Sequence, residues 1–136
     1  MLGTPNDYRV VSQANPHGES VAMAADQLAI ALVELGGIAE RRFDRLVNPM
    51  VSGLPPFLVP HPGVNSGMMI AQYVAASHAG ENRQLAQPAV VENFMTSALQ
   101  EDHLSMGTGA SLKRLRVIEN RTRILGIKYL LAAQAF

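Results

Sequence analysis

Residues 18–47 read GESVAMAADQLAIALVELGGIAERRFDRLV, and the spacing of their apolar side chains decides the fold. Val21, Ala25, Leu28, Leu32, Leu35 and Ala39 recur at alternating steps of four and three, with Leu46 continuing the line, which predicts one apolar face of a long helix. Met23, Ile30, Val33 and Ile38 lie on its other faces, so the apolar girdle is wide and the helix is expected to pack on several sides. At ~1.5 Å per residue it spans about 45 Å, longer than a compact domain of this size usually encloses. Such a helix is built for neighbours. Gly36 and Gly37 fall mid-helix, each costing up to ~1 kcal/mol against alanine, and imply a close helix contact or a bend.

Downstream, PMVSGLPPFLVPHPGVNSG carries Pro49, Pro55, Pro56, Pro60 and Pro62, which remove helical donors and make 48–65 an ordered or extended loop. Ser66 is placed to cap a second helix over 66–87, with Met69, Tyr73, Ala76 and Gly80 as one stripe, and Pro88 then forces a new direction. A polar segment, 88–109, leads to a third long helix over 110–136. Its apolar positions include Leu115, Ile118, Leu125 and Leu131, and Lys113, Arg114, Arg116, Arg121, Arg123 and Lys128 supply its polar face. Residues 1–17 lead into the first helix. The expectation is one all-α unit of long antiparallel bundle helices, with a proline-rich loop between the first two.

The chain's 11 basic and 11 acidic residues cancel, so no long-range field draws it to nucleic acid or an anionic membrane. The N-terminus lacks the basic start and apolar run of a signal peptide, and no apolar stretch is expected to reach the ~20 residues of a membrane span. With no cysteine, disulfides, thiolate metal sites and a cysteine nucleophile are excluded, and a reducing, cytoplasmic location is expected.

Chemistry-bearing residues concentrate in TSALQEDHLSMG, 96–107. Two readings stand side by side. Glu101 and Asp102 near a helix N-terminus would be favoured by its dipole; alternatively Glu101, Gln100 and His103 converge on a ligand, the carboxylate orienting an imidazole, amine or hydroxyl while the amide holds a second polar atom. NPHGES, 15–20, reads as a turn into a helix, with Asn15 and Ser20 as caps and Gly18 supplying an unusual backbone angle, or else His17 lines a site. His17, His61, His78 and His103 show no H-x-x-x-H or H-E-x-x-H spacing, so no metal site is expected. The glycines of GTG, 107–109, are too few to specify a nucleotide loop.

Taken in order, VVSQANPHGES, LAIALVELGGIAERRFDRLVNP, GLPPFLV, PGVNSGMMIAQYVAA, ENRQLAQPA, TSALQEDHLSMG and RVIENRTRILGIKYLLAAQ resemble the C-terminal half of the core of the histidine ammonia-lyases. These belong to the aromatic amino-acid ammonia-lyases and 2,3-aminomutases. The likeness runs from about residue 10 to the end, and NSGMMIAQY and QEDHLSMG carry most of it.

The resemblance implies an enzyme that eliminates ammonia from L-histidine to give urocanate. It uses a methylidene-imidazolone electrophile made from Ala-Ser-Gly and a base tyrosine on a mobile N-terminal loop. This sequence offers only ASL at 110–112 and VSG at 51–53, so no cofactor is expected to form here. The chain is expected to be a fragment or split half that supplies bundle helices and pocket wall. By resemblance Glu101 faces the substrate side chain, Met69 lines the pocket, and Ser97 stands where relatives vary their recognition residue. Pro16 replaces a phenylalanine that packs beside the electrophile, which widens the pocket. Family members are homotetramers with each active site built from three subunits, so self-association or a complementary lyase half is the expected partner. Other readings are a non-catalytic helical assembly module, or part of a tyrosine or phenylalanine lyase or of a 2,3-aminomutase.

Overall fold

A computed structural model describes residues 17–91, 94–101 and 103–136. Asn15, Pro16 and Asp102 fall outside the described residues. Three long helices dominate: α1, Glu19–Val47, then α3, Met69–Leu85, and α4, Gly107–Ala135, with a one-turn α2, Pro49–Ser52, and short 3-10 turns at Pro56–Leu58 and Ser97–Leu99. Among the described residues there is no strand. The all-α expectation holds, and the long first helix falls within one residue of its expected start.

Four contacts fix the directions. Gln72 Nε2 near the start of α3 donates to Asp44 Oδ1 near the end of α1 at 3.4 Å, so these two helices are antiparallel. Asn120 Nδ2 on α4 donates to Asn82 Oδ1 on α3 at 3.0 Å within the buried interior. The α4 residues Lys113 and Ile124 meet the α1 residues Asp26 and Gly36 in ascending order, which makes α4 parallel to α1. Consequently α1 and α4 begin side by side at one end of the molecule.

The buried face of α1 is not its leucine stripe. Of the expected stripe, Val21, Leu28 and Leu35 are exposed, at 70%, 44% and 49%, whereas its Ala25 and Ala39 are buried together with Ala22, Ala29, Gly36, Phe43 and Val47. Small side chains let α4 approach closely, and the bulky stripe is left turned outward. Gly36 serves the contact that its sequence position suggested: a Cβ there would lie 3.7 Å from Ile124 Cδ1 and 3.9 Å from Asn82 Nδ2. The main core joins Phe43, Leu58, Ala75, Ala79, Ile124 and Leu131, and a smaller cluster of Ala22, Ala25 and Ala110 sits where α1 and α4 start.

Several local expectations are corrected. The cap of α3 is Met68, with no side-chain cap bond, and Ser66 contributes its carbonyl to Met69 N–H at 3.2 Å. α4 starts at Gly107 rather than 110, absorbing both glycines of GTG. On the α4 polar face, Arg116 pairs with Glu81 and Glu119, but Lys113 is turned inward with its side chain 14% exposed. α1 is long and apolar enough, by length and composition, to cross a membrane, contrary to the expectation that no stretch reaches that size. Its apolar surplus is the outward stripe just described.

The stretch 48–65 is not loop throughout, because Pro49 opens the one-turn α2, at a helix start where its missing N–H costs nothing, and the remainder is ordered by its own backbone. Met68 N–H donates to Phe57 O at 3.0 Å, drawing Gly67, φ +52°, against the 3-10 turn. A Cβ on Gly67 would meet Phe57 O at 2.5 Å and Val59 Cβ at 2.8 Å, and backbone cannot step aside as a flexible side chain can. Gly67→Ala is therefore expected to cost about 3 kcal/mol in a urea titration, combining the positive φ with the clash; a cost below ~0.5 kcal/mol would show that the loop does not hold this close approach.

Candidate functional site

The chemistry-bearing residues gather where α1 and α4 begin. Neither N-cap residue, Gly18 of α1 or Met106 of α4, makes a side-chain cap bond, and in α1 the Glu19 N–H donates instead to His17 Nδ1 at 3.3 Å. Together these ends present partial positive charge. A hollow of about 810 Å³ opens here, lined by Gly18, Val21, Ser105, Met106, Gly107 and Thr108 among others. Gly18 has an ordinary φ of −94°, so the unusual backbone angle expected of it is absent. A Cβ there would come into ordinary contact with Ser105 Oγ at 3.4 Å, which places the start of α1 against the segment before α4.

The segment before α4 is pinned at both of its ends. Upstream, Asp26, 3% exposed in the middle of an apolar run of α1, accepts from Ala89 N at 2.7 Å and Val90 N at 3.1 Å through Oδ2. Its Oδ1 pairs with Lys113 Nζ at 2.5 Å, and Lys113 also donates to Gln87 O. Burial by itself pushes the Asp26 carboxyl up, but the Lys113 ammonium and the two amides outweigh it and hold the group below the ordinary carboxylate range. Downstream, His17 Nε2 lies 2.9 Å from His103 O, its ring stacks on His103 with centroids 5.2 Å apart, and His103 Nε2 lies 3.6 Å from Glu19 Oε2.

Between these pins the chain makes a tight loop. Thr96 N donates to Glu101 O at 3.0 Å and Glu101 N to Thr96 O at 3.3 Å. Ser97, Ala98 and Leu99 all take positive φ, 53°, 55° and 70°, a strained arrangement for residues with a Cβ. Ser97, Gln100 and Glu101 are exposed on this loop, and Glu101 lies six residues before α4, outside its first turn. The capping reading of QEDH therefore does not apply to Glu101.

Of the residues singled out in the sequence, the fold brings His17 to the segment that carries Ser97, Gln100 and Glu101. Met69 lies elsewhere. It opens α3 one turn before Gln72, which touches Asp44, and 25 helical residues separate Glu19 from Asp44, roughly 40 Å. One chain cannot unite Met69 with Glu101. Sequence reasoning missed Asp26, Lys113 and Glu19. A lone carboxylate inside AADQLAIAL was the available signal for Asp26, because an unpaired charge on an apolar stripe is too costly to bury.

Comparison with known proteins adds an independent finding. The family model for aromatic amino acid lyases matches residues 3–136. A histidine ammonia-lyase of Symbiobacterium thermophilum is 57% identical over 131 residues, covering 96% of this chain and 26% of that protein. The crystal structure of histidine ammonia-lyase from Trypanosoma cruzi superposes with a TM-score of 0.88 at 48% identity, over 96% of this chain and 26% of that one. A tyrosine aminomutase from Streptomyces globisporus superposes with a TM-score of 0.89 at 39% identity, over 96% and 25%. The chain thus spans about a quarter of the length of the relatives it matches.

Proposed function

The chain belongs to the aromatic amino acid lyase family, and from that premise we propose that it supplies one wall of a histidine-type ammonia-lyase active site together with helices of the surrounding bundle. The observation that carries this reading is the Thr96–Glu101 loop, held with an exposed carboxylate beside two uncapped helix starts. Glu101 accepts a hydrogen bond from the substrate imidazole and sets the ring's orientation, with Gln100 as a second polar contact and Ser97 leaving room for the ring. The histidine preference is supported by the likeness to a histidine ammonia-lyase 57% identical over 131 residues.

Ala-Ser-Gly does not occur in these 136 residues, so in this proposal the methylidene-imidazolone comes from polypeptide outside them. That group supplies an electrophile. The helix starts lining the hollow fit a partner that gathers negative charge, since uncapped N–H groups stabilise it without reorganising. His17 belongs to the wall on this side, and Met69 serves the pocket of another copy, because within one chain it lies at the other end of α1, whose Glu19–Asp44 stretch is roughly 40 Å long.

Assembly is therefore part of the proposal. Val21, Ala24, Leu28, Ala31, Leu35 and Ile38 are all exposed and follow a heptad spacing along α1, the pattern of a helix-pairing seam. Leu28→Glu combined with Leu35→Glu is expected to lower the oligomeric mass in light scattering while leaving helicity intact; an unchanged mass would remove α1 from the interface.

The function is tested by co-expressing the chain with the complementary part of a related histidine lyase that carries Ala-Ser-Gly, then following urocanate from L-histidine. Urocanate formation that depends on this chain supports the reading. A stable assembly silent on histidine, tyrosine and phenylalanine overturns it in favour of a non-catalytic assembly module.

A further inference from the structure

We propose that His17, Glu19 and His103 form a binding site for a divalent transition-metal ion of the zinc type. Each contributes a donor atom within 4.8 Å of the other two, although 86 residues separate the histidines. No metal spacing is visible along the chain because the ligands come from the start of α1 and the segment before α4, which only the fold brings together.

Three details set this cluster apart from a chance meeting of polar side chains. First, His103 Nε2 and Glu19 Oε2 are 3.6 Å apart, too far for a hydrogen bond. Two ligand atoms each ~2.1 Å from a tetrahedral ion stand about 3.4 Å from one another, so the gap is that of two ligands sharing an ion. Second, Glu19 Oε2 is inaccessible to solvent and has no hydrogen-bond partner, its ion-pairing neighbour being the His103 imidazole at 3.6 Å. A carboxylate oxygen withdrawn from water calls for a positive partner. Third, the His17 ring is oriented as a ligand: its Nε2 faces the His103 carbonyl at 2.9 Å, which requires the proton on Nε2 and leaves the lone pair on Nδ1. Metal-binding histidines are held in this way, one ring nitrogen donating to a backbone carbonyl while the other binds.

The Nδ1 lone pair now accepts a long 3.3 Å contact from Glu19 N–H, which coordination would displace at little cost. The nearby helix starts oppose a cation, and the Glu19 carboxylate in the first turn of α1 offsets that field. Two imidazoles and one carboxylate leave a fourth position open, the arrangement of zinc sites that also bind water or a ligand atom. The site stands on its own geometry and does not depend on the lyase reading.

The test uses the 136-residue chain stripped with chelator. Zn²⁺ is titrated by calorimetry at pH 7.5, and Co²⁺ is followed by its visible absorption, which reports tetrahedral N/O ligation. One ion per chain is expected. Glu19→Gln and His103→Gln should each weaken binding at least ~10-fold with helicity unchanged, while a His61→Gln, His78→Gln control binds as before. Lowering the pH to 5.5 should weaken it by a further ~10-fold or more as protons compete for the imidazoles. Absence of a Co²⁺ band and of binding heat at ~1 mM ion in the folded wild type, or equal affinity in the His17, Glu19, His103 triple variant, overturns the site.

Discussion

Asp26→Ala is expected to lower stability by about 3–5 kcal/mol, the loss associated with breaking one partner out of a buried ion pair. Lys113 keeps its ammonium with the side chain 14% exposed, and the Ala89 and Val90 N–H groups lose their acceptor. The damage is asymmetric. Replacing both charges by apolar groups, Asp26→Leu with Lys113→Met, should be less destabilising than Asp26→Ala, because no charge is then stranded. The pH dependence has a definite sign. Asp26 is held below its ordinary value in the folded state, so its contribution is complete above the unfolded pKa near ~4 and disappears as pH falls through that value and then the lower folded one. Urea midpoints between pH 6 and pH 3 should fall more steeply in the wild type than in Asp26→Asn, which has no carboxylate to protonate. Parallel curves, or an Asp26→Ala cost below ~1 kcal/mol, would mean that the clamp contributes little.

Much of this architecture is legible in the residues, but its facing is not. Steps of three and four along 21–39 announce a helix, and the five prolines of 49–62 end it, because both signals act through local backbone geometry. Which stripe of α1 turns inward depends on what α4 can approach. Ala22, Ala25 and Ala29 pack against the neighbour while Val21, Leu28 and Leu35 stay out, so within the expected stripe the small residues are buried and the largest ones are not. A surplus of large apolar groups on the outer stripe is intelligible once the helix has partners beyond this chain. The site divides in the same way. Glu101, Gln100 and Ser97 were visible as a polar cluster and by family resemblance, whereas Asp26, Lys113 and Glu19 act through contacts across 63 to 87 residues of sequence, which no local pattern encodes. Met69 shows the converse: the resemblance assigns it to a pocket, and the fold sends it to the far end of α1.

In a reconstituted assembly, Glu101→Gln is expected to lower kcat/KM for L-histidine by roughly 100-fold, about 2.7 kcal/mol of transition-state stabilisation, with little change in fold or assembly. Two structural facts separate these effects. The Glu101 residue is exposed, and its part in the loop is made by backbone N–H and C=O to Thr96, which glutamine reproduces, so stability should shift by less than ~0.5 kcal/mol. What the amide cannot supply is negative charge toward an imidazole N–H, and charge-assisted hydrogen bonds are about twice as strong as neutral ones. The pairing with a histidine substrate predicts a further asymmetry. Activity toward phenylalanine or tyrosine, if the assembly shows any, should fall less than activity toward histidine, because a ring without an N–H has no use for the carboxylate. Losses of equal size on all three substrates would shift Glu101 from ring recognition to a role in the reaction common to them, and a loss that tracks dissociation of the oligomer would return it to scaffold.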